Sequence, residues 1–439
     1  MRVVVVGAGL AGLRTAQLLR DAGADVVVLE SGRRPGGRVR TVTAPFVDGQ
    51  YSESGAEWVD TVHRRVLDLM DRYRVPLLGA GEQWTAIRRW LHRGGELMSP
   101  QRLREVVPTI DRELDSFDAI VEHAAAGIAD ASRPDLHPSA AEIDQRSLAD
   151  VAERAGLGDV AALFKLRESQ GEFAAEPAQV SLLFVAQQRA HQRALSGGSH
   201  VSAHRAAGGF SRLAVGLAAD LGDVVAYGET VTGVEQHDSG VLVSTDQRDL
   251  AAAHVVLACS LVPVRTMALR PSLPPHLHRA IHTLGYGTVT KTSVQWSARQ
   301  WPAGYATTSG TAQRVYEPTI DQQGRPGILM SYCGGEGGHR WASMSEPERI
   351  ALATSEMRAM HSLTASPLGA FSRAWSTHPR YGGSYAVYQP GQVTDFWHLL
   401  RQPWGRVHLA GEHVATCTGY MEGALESAET TASRLLAAD

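Results

Sequence analysis

The chain opens with RVVVV at 2–6, an apolar, β-branched run too short for a helix, so a buried strand is expected there. GAGLAG follows, then apolar positions at helical spacing through LRTAQLLRD, then DVVVLE at 25–30, which reads as a second buried strand. Helical spacing returns in RRVLDLMDRY, ELDSFDAIVEHAAAGI, SLADVAERAGL and EPERIALATSEMRAMHSL. TVTKTSVQW and GILMSYCGG read as strands. Near the C-terminus, CTGYMEGALESAETTASRLL (417–436) predicts a closing helix with Leu425, Ala428, Ala432 and Leu435 on one buried face. Thr418 is its candidate N-cap. Gly419 and Gly423 at its start imply a bulky group lying against the backbone, where helix amides attract electron-rich atoms. SGGSH at 196–200 reads as a flexible loop, and there is no internal repeat. His200 and His204, near His191, have a ligand-like spacing, but no cysteine or carboxylate completes a metal site and none is expected.

The first thirty residues carry chemistry as well as pattern. Strand, glycine turn, helix, strand and a closing acid form an α/β dinucleotide-binding unit across Gly7, Ala8, Gly9, Leu10, Ala11 and Gly12. Gly7 permits the tight turn, Gly9 lets backbone approach a pyrophosphate, and Gly12 allows the helix to pack closely on the strand. Glu30, followed by Ser31, stands where a carboxylate holds ribose hydroxyls. This unit does not separate FAD from NAD, because both contain the same ADP half. SGRRPGGRVRT then places Gly36, Gly37 and Arg38 just beyond that acid. Arg38 has the bidentate geometry for a pyrophosphate. An exposed basic loop with Arg33, Arg34 and Arg40 is the alternative.

Bulk properties narrow the class. At 439 residues the chain exceeds a single core, so two or three domain-sized units are expected. A net charge of −4 points to neither nucleic acid nor an anionic membrane. No apolar run approaches the ~20 residues that span a bilayer. Three scattered cysteines, Cys259, Cys333 and Cys417, fit a reducing cytoplasm, and no targeting segment is expected before the first strand.

VVVLESGRRPGGRVRT resembles the FAD signature of the flavin amine oxidase superfamily, which includes monoamine, polyamine and L-amino acid oxidases. SESGAEWVD (52–60) occupies the place of the family's segment beside the flavin, which the resemblance assigns to Gly55, Ala56, Glu57 and Trp58. GGFSRLAVGLAADLGDVVAYGETVTGV (208–234) is similar to its second ADP-binding segment, in which Val231 would meet the adenine. HVVLACSLVPVRTMALRPSLP, GYGTVTK and GRVHLAGEHVATCTGYMEGALESAE resemble further blocks in the same order. The resemblance implies an amine-oxidase fold, with a discontinuous Rossmann-like FAD-binding domain at 1–75, 204–283 and 396–439. A second, α+β substrate domain is expected at 76–203, mostly helical, and 284–395. Gly419, Tyr420 and Met421 are implied at the pyrimidine edge of FAD, Gly411 and Glu412 among its other contacts, and Trp375 near its ring, although a plain core tryptophan fits that position too.

Several side chains acquire roles through the resemblance. Lys291 follows a β-branched run, and a buried ammonium needs a partner or a function. The family implies that it hydrogen-bonds a water at flavin N5. Tyr385, in RYGGSYAVYQPG, and Tyr420 match the two tyrosines that face each other across the amine. Ser384 stands where some members carry a flavin-bonded cysteine, so non-covalent FAD is expected. Glu57 departs from the small residue of monoamine oxidases; it could act on the amine or pair with an arginine such as Arg38 or Arg205.

The implied function is oxidation of a small-molecule amine, with hydride passing from the carbon α to nitrogen onto flavin N5 and dioxygen giving hydrogen peroxide. An L-amino acid oxidase is the nearest alternative and would need a carboxylate-clamping arginine, with Arg314 and Arg325 as candidates. A tailoring oxidase that forms a cyclising iminium and a non-enzymatic flavin scaffold complete the alternatives. Dimers are common in this family, so a homodimer is a further expectation, whereas nucleic acid and membrane are not expected partners.

Overall fold

The computed structural model describes residues 1–78, 89–197 and 201–438. The N-terminal pattern forms as read: strand Arg2–Val6, helix Leu10–Asp21 and strand Asp25–Glu30. These strands sit centrally in a five-stranded parallel sheet ordered Val225–Tyr227, Asp25–Glu30, Arg2–Val6, His254–Leu257 and Val407–Leu409. Three distant stretches of chain therefore build one sheet. Being buried on both faces, its central strands show continuous apolar runs rather than alternation. Helix Leu10–Asp21 packs between Ser211–Leu221 and the final helix Met421–Ala438, closing one face. A four-stranded sheet (Val231–His237, Gly240–Thr245, Asp249–Ala252 and Ala268–Arg270) lies on the other side.

The remaining chain forms a seven-stranded sheet and a helical layer. In sheet order the strands are Pro367–Ala374, Val289–Trp296, Gly327–Gly334, Arg314–Tyr316, Tyr305–Thr308, Arg89–Arg93 and Glu96–Met98. The last two come from the stretch read as mostly helical; Arg89–Arg93 runs parallel to Tyr305–Thr308. Helices Ile110–Ala126, Asp159–Glu172 and Leu182–Ser196 supply the helical layer. The expected loop at 196–200 is only partly described: Gly197 caps its helix in the left-handed conformation, and 198–200, with His200, lie outside the described residues. His191 sits on a helix and His204 on a strand, and no metal-holding group occurs among the described residues. No helix of the described residues is long and apolar enough to cross a membrane.

Candidate active site

One cavity of about 1590 Å³ runs from the glycine turn to the helical layer. Its lining includes Gly7, Gly9, Leu10, Ala11, Glu30, Ser31, Gly36, Gly37, Arg38 and Val231 at one end. Ala8 and Gly12 stand behind this wall. Ala8 donates its N–H to Glu30 Oε2 at 2.9 Å. A Cβ on Gly12 would lie 1.9 Å from the Gly7 carbonyl, so Gly12 serves helix–strand packing as expected. Gly9 faces open space: nothing lies within 4 Å of a Cβ placed there. The helix beginning at Leu10 has neither a side-chain cap nor an acid in its first turn. Its N-terminal amides and dipole thus face the cavity uncompensated, a cradle for an anionic group. Glu30 receives a second backbone N–H, from Gly32 at 2.6 Å, which orients its carboxylate at the strand end.

Arg38 is not part of an exposed loop. Its Nη1 donates to Glu412 Oε1 and to the Ser384 carbonyl, both at 2.6 Å. Burial opposes its charge, but Glu412 outweighs that and holds the guanidinium pKa above its ordinary value. The role expected at a pyrophosphate is thus accompanied by a protein partner that spacing did not reveal. Glu412 also accepts from Ala386 N and Gly419 N, joining three distant segments at one carboxylate.

The start of the last helix corrects two expectations. Thr418 does not cap it, because its hydroxyl donates backwards to the Ala415 carbonyl at 2.8 Å. Gly423 makes room for no ligand: a Cβ there would lie 1.9 Å from the Cys417 carbonyl, so the preceding loop itself requires glycine. Gly419, with φ +90°, does line the cavity together with Tyr420, Met421, Gly411 and Glu412.

At the other end lie Gly55, Ala56, Glu57, Trp58, Lys291, Trp375, Ser384, Tyr385 and Tyr420. Lys291 points inward from its strand and is 5% exposed, so its ammonium must be satisfied by protein. Its Nζ donates to Gly55 O and Glu57 Oε2, each at 2.9 Å, and to Glu53 O at 3.3 Å. Glu57 pairs with this lysine, not with Arg38 or Arg205; Arg205 stacks on Trp58 at 4.6 Å. The hydroxyl of Tyr316 donates to the same Glu57 oxygen at 2.6 Å. Each of the three N–H donors of Lys291 thus has an acceptor within the protein. Neighbouring Glu53 accepts from Phe210 N, and burial pushes its pKa up to about 7. Trp375 is buried, donates Nε1–H to Ser54 O at 2.6 Å, and lines the cavity with one edge.

The two tyrosines converge. Tyr385 donates its hydroxyl to Gly171 O at 3.0 Å and lies 2.9 Å from the Tyr332 hydroxyl. Its ring edge is 3.7 Å from a Cβ placed on Gly419, the neighbour of Tyr420. Tyr420 is 41% exposed and lines the cavity, and its ring sits 5.2 Å from His63. Burial raises both phenols well above ordinary tyrosine, helped by Tyr332 at Tyr385 and by Glu172 and Asp60 at Tyr420. Ser384 Oγ donates to Gly287 O at 2.9 Å and offers no sulfur for a flavin thioether.

Tyr316 and Tyr332 are site residues that sequence reading missed. Tyr332 was recoverable, because it pairs in register with Lys291 on the adjacent strand and so shares its face. Tyr316 had no such signal. Of the two arginines considered for a carboxylate, Arg314 lines the cavity and Arg325 does not.

This arrangement fits FAD: an anion cradle and ribose-placed carboxylate at one end, and a glycine-lined slot leading to an aromatic cleft at the other. A family model described as flavin containing amine oxidoreductase matches residues 10–436. The chain is 26% identical to an L-amino acid dehydrogenase of Synechocystis sp. over 99% of this chain and 94% of that protein. It is 27% identical to amine oxidase [flavin-containing] A of Canis lupus familiaris over 99% of this chain and 84% of that one. Among solved structures, putrescine oxidase bound to putrescine superposes with a TM-score of 0.87 at 23% identity, covering 100% of this chain and 99% of that one. Cyclohexylamine oxidase from Brevibacterium oxydans IH-35A gives 0.86 at 22% identity, covering 100% of this chain and 99% of that one. At these identities the two structures establish the fold.

Proposed function

Because the chain belongs to the flavin-containing amine oxidoreductase family, we propose that it oxidises a small-molecule amine between the ring faces of Tyr385 and Tyr420. It is an FAD-dependent oxidoreductase acting on carbon–nitrogen bonds, and it holds its cofactor without a covalent link. Bound in the slot, FAD supplies the acceptor for a hydride lost from the carbon beside nitrogen. The chain's own side chains set the conditions for that loss.

The carrying observation is the aromatic cleft. Tyr385 is pinned by Tyr332 and the Gly171 carbonyl, while Tyr420 opens into the same cavity. Ring faces attract an amine without an ion pair, and a desolvated setting favours the neutral form whose lone pair drives hydride loss. Lys291 and Glu57 neutralise each other in the wall, so neither charge locks the amine as ammonium. In this reading the division into an FAD-binding part (1–75, 204–283, 396–439) and a substrate part (76–203, 284–395) places the cleft at their junction. Dioxygen is the electron acceptor, yielding hydrogen peroxide. The unpaired cysteines favour a reducing cytoplasm as the setting.

Anaerobic mixing of the yellow holoenzyme with a panel of primary amines tests this reading. At least one amine should bleach the flavin, and admitting air should restore the colour with release of peroxide. A flavin that stays oxidised with every amine would overturn this reading.

A further inference from the structure

Arg314 is a largely buried cation whose hydrogen-bonding capacity its surroundings only partly use. Its side chain is 12% exposed, and Nε has no hydrogen-bond partner among the described residues. Its carboxylate neighbour, Glu172, stands 3.6 Å from Nη1, beyond hydrogen-bond distance, and is itself 56% exposed. The guanidinium otherwise lies 5.5 Å from the ring of Tyr305. Burial opposes the charge, but Tyr305 and Glu172 hold the pKa above its ordinary value, so the group stays cationic. The fold makes specific room for it: a Cβ on Gly171 would lie 1.6 Å from Arg314 Nη1. A desolvated guanidinium on a cavity wall, with donors to spare, is a receptor for a planar anion.

Its position says where that anion sits. Lys291, Tyr332 and Arg314 are successive cross-strand neighbours in register, so they form one row on the sheet. With strands ~4.8 Å apart, the strand of Arg314 lies about 10 Å from that of Lys291, with Tyr332 between them. The Gly171 carbonyl, which receives the hydroxyls of Tyr332 and Tyr385, belongs to the residue that Arg314 abuts. The guanidinium is thus at the hydroxyl end of the tyrosines, not over their ring faces.

We propose that the substrate carries a carboxylate separated from its amine by a chain of several carbons, with the carboxylate seated on Arg314 at the hydroxyl ends of Tyr332 and Tyr385. An α-carboxylate is one bond from the carbon that is oxidised and does not span from the ring faces to this edge. A planar carboxylate matches the guanidinium fork. The inference rests on the amine-oxidase reading, with the amine held between Tyr385 and Tyr420.

The experiment compares anaerobic flavin reduction by 6-aminohexanoate, hexylamine and norleucine in the wild-type holoenzyme and in Arg314→Met. The wild type should reduce with 6-aminohexanoate at least about tenfold more efficiently than with hexylamine, a factor within reach of one charge-assisted pair. Arg314→Met should erase that preference by lowering the efficiency with 6-aminohexanoate far more than that with hexylamine, and Arg314→Lys should retain part of it. Hexanoate, which cannot be oxidised, should perturb the flavin spectrum of the wild type and not that of Arg314→Met. Equal efficiency for 6-aminohexanoate and hexylamine, an equal loss for both in Arg314→Met, or norleucine outpacing 6-aminohexanoate overturns the proposal. Bleaching by hexylamine alone would sink this inference while sparing the amine-oxidase reading; no bleaching by any of the three sinks the inference, and silence of the whole amine panel as well sinks both.

Discussion

At the scale of single residues, a few atoms settle the electrostatics of the site. Lys291 and Glu57 are 6% and 2% exposed at their side chains, and each is the other's charge partner. Removing one member of such a pair leaves an uncompensated buried charge, at about 3–5 kcal/mol. Lys291→Met should therefore lower the melting temperature markedly, and the double variant Lys291→Met/Glu57→Gln should recover much of the loss. Thermal release of flavin fluorescence measures both; a double variant no more stable than the single one would show that the pair is not what holds these groups. Stopped-flow mixing with air-saturated buffer should also show slower flavin reoxidation in Lys291→Met, because a fixed positive charge favours passing electrons to dioxygen.

At the scale of elements, glycines with similar sequence signals do different work. In the helix Met421–Ala438, Gly423 meets its own incoming loop, whereas at the mouth of helix Leu10–Asp21 Gly9 meets nothing. Gly423→Ala is expected to destabilise the protein by about 1–3 kcal/mol through overpacking, with little change in FAD affinity once folded. Gly9→Ala should do the reverse, leaving the apoprotein's denaturant midpoint unchanged while weakening FAD binding. Chemical denaturation of the apoprotein together with FAD titration separates the two. If Gly9→Ala bound FAD as well as the parent, the turn would not be the pyrophosphate seat.

At the scale of the whole molecule, buried titrating groups shape the pH response. Burial lowers His63, His361 and His408 to about 4 and His413 to about 3. Each is unprotonated in the fold but protonated in the unfolded chain below its ordinary value near 6.5, so acid draws the equilibrium towards unfolding. Glu53 and Asp60 act oppositely: burial raises them to about 7 and about 6, so the fold holds their protons longer than the unfolded chain. Four histidines against two acids leave the unfolded chain binding more protons between pH 4.5 and 6.5, where stability should fall as pH falls. Melting temperature across that range measures it, and a flat or inverted profile would contradict these burial assignments.

The sequence by itself determined the parallel sheet's central strands, the glycine turn with Glu30, the amphipathic face of the last helix, and the order of motifs that identifies the family. Those features are local: strand and helix periods, one tight turn and the burial of contiguous apolar runs are set by residues a few positions apart. Only the tertiary structure decided which charge meets which. Glu57 could have faced Arg38 or Arg205, and found Lys291 because two segments more than two hundred residues apart cross at one wall. Arg38 found Glu412, Tyr332 joined Tyr385, and Gly171 opened space for Arg314 for the same reason. Side-chain pairing across a cavity depends on the three-dimensional return of the chain, and no period along the sequence encodes that distance.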